Sequence, residues 1–372
     1  MVQKKWKSYL IAIGANILVM SIIFILIISV LPVINSKTTI EETKIIVDDN
    51  ISLPFWTVSV SNIDYYLYEQ VNAGYRIPGT QDIEKVRSFI KKEASPFPVV
   101  FQNFTYHGVN VSNLIVRITP PNINNYQQII LGAHYDTRAQ ATSEPSTRPV
   151  PGANDGASGV AGLLSIINWL KQETRWKMLN TSLVFVFFDA EDQGGLNNWE
   201  WIVGSTYYAS NMNQTEIERT KAFILLDMIG DIYLNLKQER FSTIYLNQEF
   251  WIIARLLGFS QFFTNQDGYW LIDDHRPFLD IGIPSIDLID FDYSEWHKTT
   301  DDLSHVSSAS IAIVSDVVLY WLSLKANFTN YLITMESNMQ TLASVNYTLS
   351  SQGASLRIFD SELLFCKKYS KG

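Results

Sequence analysis

The sequence predicts a three-layer α/β fold with a mixed, mostly parallel central sheet, preceded by one transmembrane helix. Three observations predict it. Apolar strand-like runs alternate with segments of helical period across the middle of the chain, the order that puts helices on both faces of a sheet. One of these runs, "TSLVFVFF" at 181–188, is almost continuously apolar, as in a strand covered on both sides. From Ser8 to Ser36 there is no charged residue, more than the roughly 20 apolar residues that a spanning helix needs.

That first run is read as a signal anchor over residues 9–35. It is too long for the core of a cleavable signal peptide and lacks a small-x-small exit. Lys4, Lys5 and Lys7 precede it, and Glu41, Glu42, Asp48 and Asp49 follow. The positive-inside rule therefore keeps residues 1–8 cytoplasmic and puts the rest in a lumen or outside the cell. Residues 36–54 read as a stalk, 55–328 as the α/β domain, and 329–372 as a polar tail. Seven sequons, at Asn50, Asn103, Asn110, Asn180, Asn213, Asn327 and Asn346, agree with export.

Within the domain, Thr80 is an N-cap candidate, and Ile83, Val86, Phe89 and Ile90 recur at helical spacing after it. Strands are expected at 99–105, 113–118 and 128–134. A helix should follow "GANDGASG" and run to about Lys171. After the strand at 181–188, a helix is expected past Gly195, a strand at "AFILLDM", a helix near 250–257, a strand at "PSIDLID" and a long helix from Ser308 to about Ala326. The net charge is −9 with no basic block, so nucleic acid is not an expected partner. The single cysteine, Cys366, excludes an intrachain disulfide and a cysteine zinc site. Nothing in the sequence sets an oligomeric state.

The chemistry gathers at strand exits, where α/β folds place their sites. "LGAHYDTR" supplies His134 and Asp136, two residues apart on extended chain and so on one face. Asp136 is placed to orient the His134 imidazole from behind. "PGANDGASG" supplies Asp155, "FFDAED" supplies Glu191 and Asp192 with Asp189 just upstream, and "LLDMIGD" supplies Asp227 and Asp231. "DDHRPF" supplies Asp273 and Asp274, and "SEWHKTTDD" supplies His297. Any one of these is ordinarily a cap or turn residue. Together, carboxylates and imidazoles without cysteine suit a catalytic zinc with an open position. A divalent cation would also relieve the repulsion among the carboxylates after Phe188. The loop at 151–159 lacks Gly-Lys-Ser/Thr, and Ser158 has Val160 where a nucleophile elbow needs Gly. Phosphate-loop and serine-hydrolase chemistry are therefore not expected.

These motifs, in this order, resemble the zinc-dependent M28 peptidase-like superfamily, and within it the glutaminyl cyclases. "YRIPGTQDIEKVRSFI" is similar to that family's lead-in helix, and the resemblance spans roughly residues 60–325. It implies a zinc-exopeptidase-like fold, with zinc held by Asp155, Asp192 and His297 and with Glu191 as general acid and base. It also implies a carboxyl network of Asp227 and Asp274, and Trp296 as a wall of the substrate pocket. The expected activity is conversion of the N-terminal Gln of peptides or proteins to pyroglutamate with release of ammonia. A second reading on the same scaffold is a two-zinc aminopeptidase, in which His134 and Asp227 hold the second metal and Asp155 bridges. A third is a non-catalytic ectodomain, whose mark would be eroded ligands. The cyclases it resembles carry Glu-Glu where this chain has Glu191-Asp192, so the metal must sit closer to the strand or the backbone must shift.

Overall fold

Alternation along two central strands builds the three layers. In β3 (Gln128–His134) and β4 (Ser182–Phe188) every residue is buried. Ile129, Leu131, Ala133, Leu183, Phe185 and Phe187 join one apolar cluster, and Ile130, Val184, Val186 and Phe188 join another. Successive side chains leave a strand on opposite faces, so these are the two sides of one sheet, and helices cover both. The computed structural model behind this description covers residues 57–121, 127–326, 357–359 and 362–364. The expected anchor, the stalk, most of the tail and the sequons at Asn50, Asn327 and Asn346 lie outside the described residues.

The main sheet also contains β1 (Val99–Tyr106), β2 (Val109–Ile118), β5 (Thr220–Asp227) and, after the short parallel pair β6 (Leu236–Gln238) and β7 (Phe263–Asp267), β8 (Ser285–Ile289). Its order is β1-β2-β4-β3-β5-β8. The β4-β3-β5-β8 part is parallel, while β1 and β2 run antiparallel at one edge. The β1–β2 turn is two residues, His107 at φ 47° and Gly108 at φ 79°, the left-handed pair that a tight hairpin requires. The chain steps from β3 to β4, then returns across β3 to β5 and goes on to β8. Such a reversal opens a crevice at the carboxyl ends of the strands, and His134 and Asp227 are the last residues of β3 and β5.

Eight helices are described: α1 (Val60–Asn72), α2 (Gln81–Ala94), α3 (Ala157–Lys171), α4 (Val203–Ser210), α5 (Gln214–Arg219), α6 (Ile244–Leu256), α7 (Arg276–Asp280) and α8 (Ser308–Lys325). Thr80 caps α2, accepting from the Ile83 N–H. Helix α1 is not among the elements expected from the sequence, although Ile63, Tyr66, Leu67 and Gln70 bury at helical spacing. Helix α3 crosses the sheet so closely that a Cβ on Gly159 would lie 2.1 Å from the Leu226 carbonyl oxygen. Among the described residues one helix, α8, is long and apolar enough to cross a membrane. Its 83% burial instead makes it a core helix. The expected helix after Gly195 begins only at Val203, because Asn197, Asn198 and Ile202 all take positive φ, which no helix interior allows.

Candidate metal centre

The strand β3 ends in His134, and Asp136 follows it into full burial. The Asp136 carboxylate faces His134 Nδ1 at 3.4 Å and accepts from Glu191 N (3.0 Å), Asp192 N (3.2 Å) and Gln193 Nε2 (3.0 Å). One side chain thus aims the imidazole and pins the turn after β4. That turn opens with Ala190 at φ 57°, a conformation tolerated at functional sites when the surroundings enforce it. The same kink separates Asp189 from the two carboxylates beyond it. Asp189 is not part of the centre: it pairs with the Arg87 guanidinium on α2 and accepts from Ser112 N at 2.9 Å. The charge knot at this strand end is therefore answered in two places, and a cation accounts only for Glu191 and Asp192.

Asp155 reaches the crevice from the loop before α3. Its backbone and that of Asn154 donate to the buried Asp301 carboxylate at 3.1 and 2.8 Å, and Tyr293 OH donates to Asp301 at 2.8 Å. The buried Arg76 donates to the carbonyls of Tyr135, Pro151 and Gly152, tying the loop to the exit of β3. Gly156 lies against the His134 ring, where a Cβ would come within 2.5 Å. Ser158 donates to Asn154 O and accepts from Ile229 N, so its hydroxyl is occupied in structure, as its motif suggests.

Two groups of ligand-type side chains result, and they share Asp155. In one, His297 Nε2 lies 3.0 Å from Asp192 Oδ1 and 3.7 Å from Asp155 Oδ2. In the other, His134 Nε2 lies 3.0 Å from Asp155 Oδ1 and 3.4 Å from Asp227 Oδ1. The ligand atoms of each group lie within 4.8 Å of one another, and all five residues are buried. His134 Nε2, Asp192 Oδ2 and Asp227 Oδ1 have no hydrogen-bond partner. Orphaned buried polar atoms are costly, and oxygen and nitrogen donors converging with free lone pairs fit zinc.

The protonation pattern agrees. Burial pushes Asp192 up to about 6, with the Asp155 charge adding to it. Burial also raises Glu191 well above the ordinary range, and Asp273, Asp274 and Asp192 reinforce this against His134. Asp274 rises to about 8 through burial and the adjacent Asp273. Burial opposes ionisation of Asp155 as well, but its contact with His134 and the charges of His134 and His297 hold it below the usual carboxylate range. A cation in the centre favours every ionised carboxylate around it. The carboxyl that hydrogen-bonds Asp227 is Asp273, one residue before the Asp274 that the resemblance implies. Neither oxygen of Asp274 has a hydrogen-bond partner. Asp231 stays apart, accepting from Tyr233 N at 2.8 Å.

Aromatic rings frame His297. Trp296 stacks on it with centroids 3.8 Å apart, and Trp201 lies nearly parallel to it at 5.8 Å and 4°. Trp199, four residues past Gly195, packs on Tyr106 instead. Thr142 Oγ1 meets His297 Nδ1 at 3.1 Å, which leaves Nε2 for the centre. The profile of peptidase family M28 matches residues 113–322, more than half of the chain. The chain belongs to peptidase family M28. Aminopeptidase YwaD of Bacillus subtilis (strain 168) is 27% identical over 219 residues, 55% of this chain and 43% of that one. This chain thus spans less than half of that relative. The glutaminyl-peptide cyclotransferase of Boiga irregularis is 25% identical over 289 residues, 65% of this chain and 75% of its own. A Zn-dependent exopeptidase from Parabacteroides distasonis ATCC 8503 superposes with a TM-score of 0.64 at 25% identity, covering 74% of this chain and 100% of that one. Relatives on both branches of the M28 family are enzymes, and the mixed, mostly parallel sheet with flanking helices is the zinc-exopeptidase-like fold.

Several residues of the M28 site escaped the sequence reading. Arg138 lies against Asp192 Oδ1 at 3.3 Å, donates to the Asp192 and Gly194 carbonyls, and has its guanidinium 4.7 Å from the Trp201 ring centre. Its signal was a cation two residues past Asp136 in "HYDTR". Asp301 sits in the quoted "TTDD", but only the fold shows that it holds the Asp155 loop.

Proposed function

We propose that this chain is a zinc-dependent glutaminyl-peptide cyclotransferase. The observation that carries the reading is the indole of Trp296 stacked on His297 beside the buried Glu191, which gives the reacting centre a flat aromatic wall suited to a small neutral amide. Asp155, Asp192 and His297 would hold the zinc. When bound, zinc supplies Lewis-acid polarisation of the γ-amide carbonyl. Glu191 takes a proton from the substrate's α-amine as the nitrogen closes on the carbonyl carbon of the side-chain amide, Cδ. It then returns a proton to the departing amide nitrogen, so one C–N bond forms, one breaks and ammonia leaves. A carboxyl raised by burial and by its acidic neighbours is matched to both transfers. Trp296 and Trp201 shape the pocket, and the reaction is intramolecular, so held geometry contributes a large share of the rate. The test is ammonia release from a peptide with N-terminal Gln by the zinc-loaded protein. Zinc-loaded protein that yields no ammonia and frees amino acids from other N-termini would refute the reading.

The second ligand group, His134, Asp155 and Asp227, favours the alternative of a two-zinc aminopeptidase, in which Glu191 would activate water. Metal analysis separates the two, with one zinc per chain expected for the cyclase.

The reading extends to location. The uncharged run from Ser8 to Ser36 and the lysines before it support a signal anchor with the enzyme lumenal or extracellular, acting on peptide or protein N-termini. Asn103, Asn110, Asn180 and Asn213 are all exposed, as glycan acceptors must be. Endoglycosidase treatment of the full chain from a eukaryotic host is expected to lower its mass. An unchanged mass together with a protease-protected domain would refute this orientation.

A further inference from the structure

Beside the metal centre lies a small apolar cluster, separate from the two that line the faces of the sheet. Met228, Ile289 and Tyr293 are buried in it, and Leu271, Phe291 and Trp296 are half-buried around them. Each flank of the cluster adjoins a residue of the site. Met228 follows Asp227, Leu271 lies two residues before Asp273, and Trp296 precedes His297. From His297 a row of rings continues outward. Trp296 stacks on His297, Phe291 lies 5.0 Å from Trp296, and Tyr269 lies 5.5 Å from Phe291, between ring centres. An open cleft runs beside this row, lined by Asn235, Lys237, Tyr269, Leu271, Ile289 and Phe291.

The outermost ring is exposed but not free. Tyr269 is 47% exposed, and it is held at both ends. Its carbonyl accepts from Arg240 N at 2.9 Å, its hydroxyl donates to Asp292 Oδ1 at 2.9 Å, and Lys237 Nζ holds Asp292 Oδ2 at 2.5 Å. Leu271 N, two residues on, donates to Glu239 at 3.1 Å. Exposed apolar surface of this kind marks binding sites, and a ring already fixed loses little freedom when an apolar group comes to rest on it. An extended peptide rises about 3.4 Å per residue. With its first residue against Trp296, its second and third residues come over Phe291 and Tyr269. We propose that Tyr269, Phe291 and Leu271 form a subsite for the second or third residue of the substrate, and that it favours an apolar, above all an aromatic, side chain there. The occupant is the substrate peptide itself, because the row begins at the reacting centre and Trp296 belongs to both. The ring of Tyr269 supplies the contact, and its hydroxyl only fixes the ring. The inference rests on the reading that a peptide N-terminus enters beside Trp296 and Glu191.

Two peptide series test it on the zinc-loaded protein, Gln-Xaa-Ala-Ala and Gln-Ala-Xaa-Ala, with Phe or Ala at Xaa. In at least one series, kcat/KM for the Phe peptide should exceed that for the Ala peptide by about tenfold, near the upper end for one well-placed aromatic contact. The gain should lie in KM, since the contact is made equally in ground state and transition state. In Tyr269→Ala the ratio should fall to about twofold or less, and in Tyr269→Phe, which keeps the ring, it should stay close to that of wild type. A wild-type ratio near one in both series, a ratio that survives Tyr269→Ala, or one lost in Tyr269→Phe overturns the proposal. Protein that releases no ammonia from any of these peptides refutes the cyclase reading alone. The subsite is then read from calorimetric binding of the same peptides to zinc-loaded Glu191→Gln protein, in which they stay intact. Tighter binding of a Phe peptide, lost when Tyr269→Ala is added, supports the subsite, and equal binding or none overturns it.

Discussion

Glu191→Gln is expected to lower kcat for a Gln-initiated peptide by about 10²- to 10⁴-fold, the usual contribution of a positioned acid–base group. That corresponds to roughly 3–5 kcal/mol of transition-state stabilisation. Gln has nearly the size of Glu and no proton to accept or return. The backbone of residue 191 would still donate to Asp136, so the turn that carries Asp192 should not move. Glu191 belongs to neither ligand group, so zinc per chain should equal that of wild type. The variant also removes one of several crowded carboxyls, and burial that penalises a charge does not penalise an amide in the same way. Its thermal stability is therefore expected to match or exceed wild type. Steady-state ammonia release, metal analysis and a melting curve on one preparation check all three. Turnover within tenfold of wild type would remove Glu191 from the chemistry. Loss of zinc along with activity would mean that Glu191 is a ligand and that the ligand assignment is wrong.

The parts of this molecule that could be read from sequence are those set by local pattern. β3 spans Gln128–His134 and α3 ends at Lys171, as the apolar run and the helical period predict, because continuous apolar runs leave a buried strand few alternatives. His134 and Asp227 end strands, and Asp155, Asp192 and His297 lie in the segments that follow β3, β4 and β8, on the side of the sheet where parallel topology brings such exits together. What could not be read depends on partners distant in the chain. Asp189 looked like a member of the acidic cluster, yet Arg87, 102 residues away, takes it to the opposite side once Ala190 breaks the alternation. Asp273 and Asp274 are neighbours in sequence, but only Asp273 faces Asp227, while both oxygens of Asp274 are left without a partner, a choice made by the turn into α7. Trp199 and Trp201 lie two residues apart, and the left-handed residues at 197, 198 and 202 decide that Trp201 faces His297 while Trp199 packs on Tyr106. Each of these outcomes turns on a single φ angle or one remote charge, and neither has a periodic signature in sequence.

Asp155→Asn is expected to have the widest effect of any single change, because Asp155 alone serves both ligand groups. Its Oδ1 faces His134 and its Oδ2 faces His297. An amide offers one neutral oxygen and one N–H donor. Whichever way it turns, one imidazole Nε2 gains a hydrogen where a cation should sit, and the centre loses a full negative charge. A drop in zinc affinity of at least about 10²-fold is expected, beyond the upper end for partners that only support a ligand, and all zinc-dependent turnover should go with it. The contrast with His134→Ala then chooses between the two activities. His134 lies outside the Asp155–Asp192–His297 group, so a one-zinc cyclase should keep its metal and most of its turnover in that variant. A two-zinc aminopeptidase should fall from two metals to one and lose activity. The fold should survive both changes, since the Asp155 loop is held by Asp301 and Arg76 through backbone groups that neither substitution touches. Zinc retained at wild-type affinity in Asp155→Asn would show that these converging side chains do not make a metal centre, whatever their spacing.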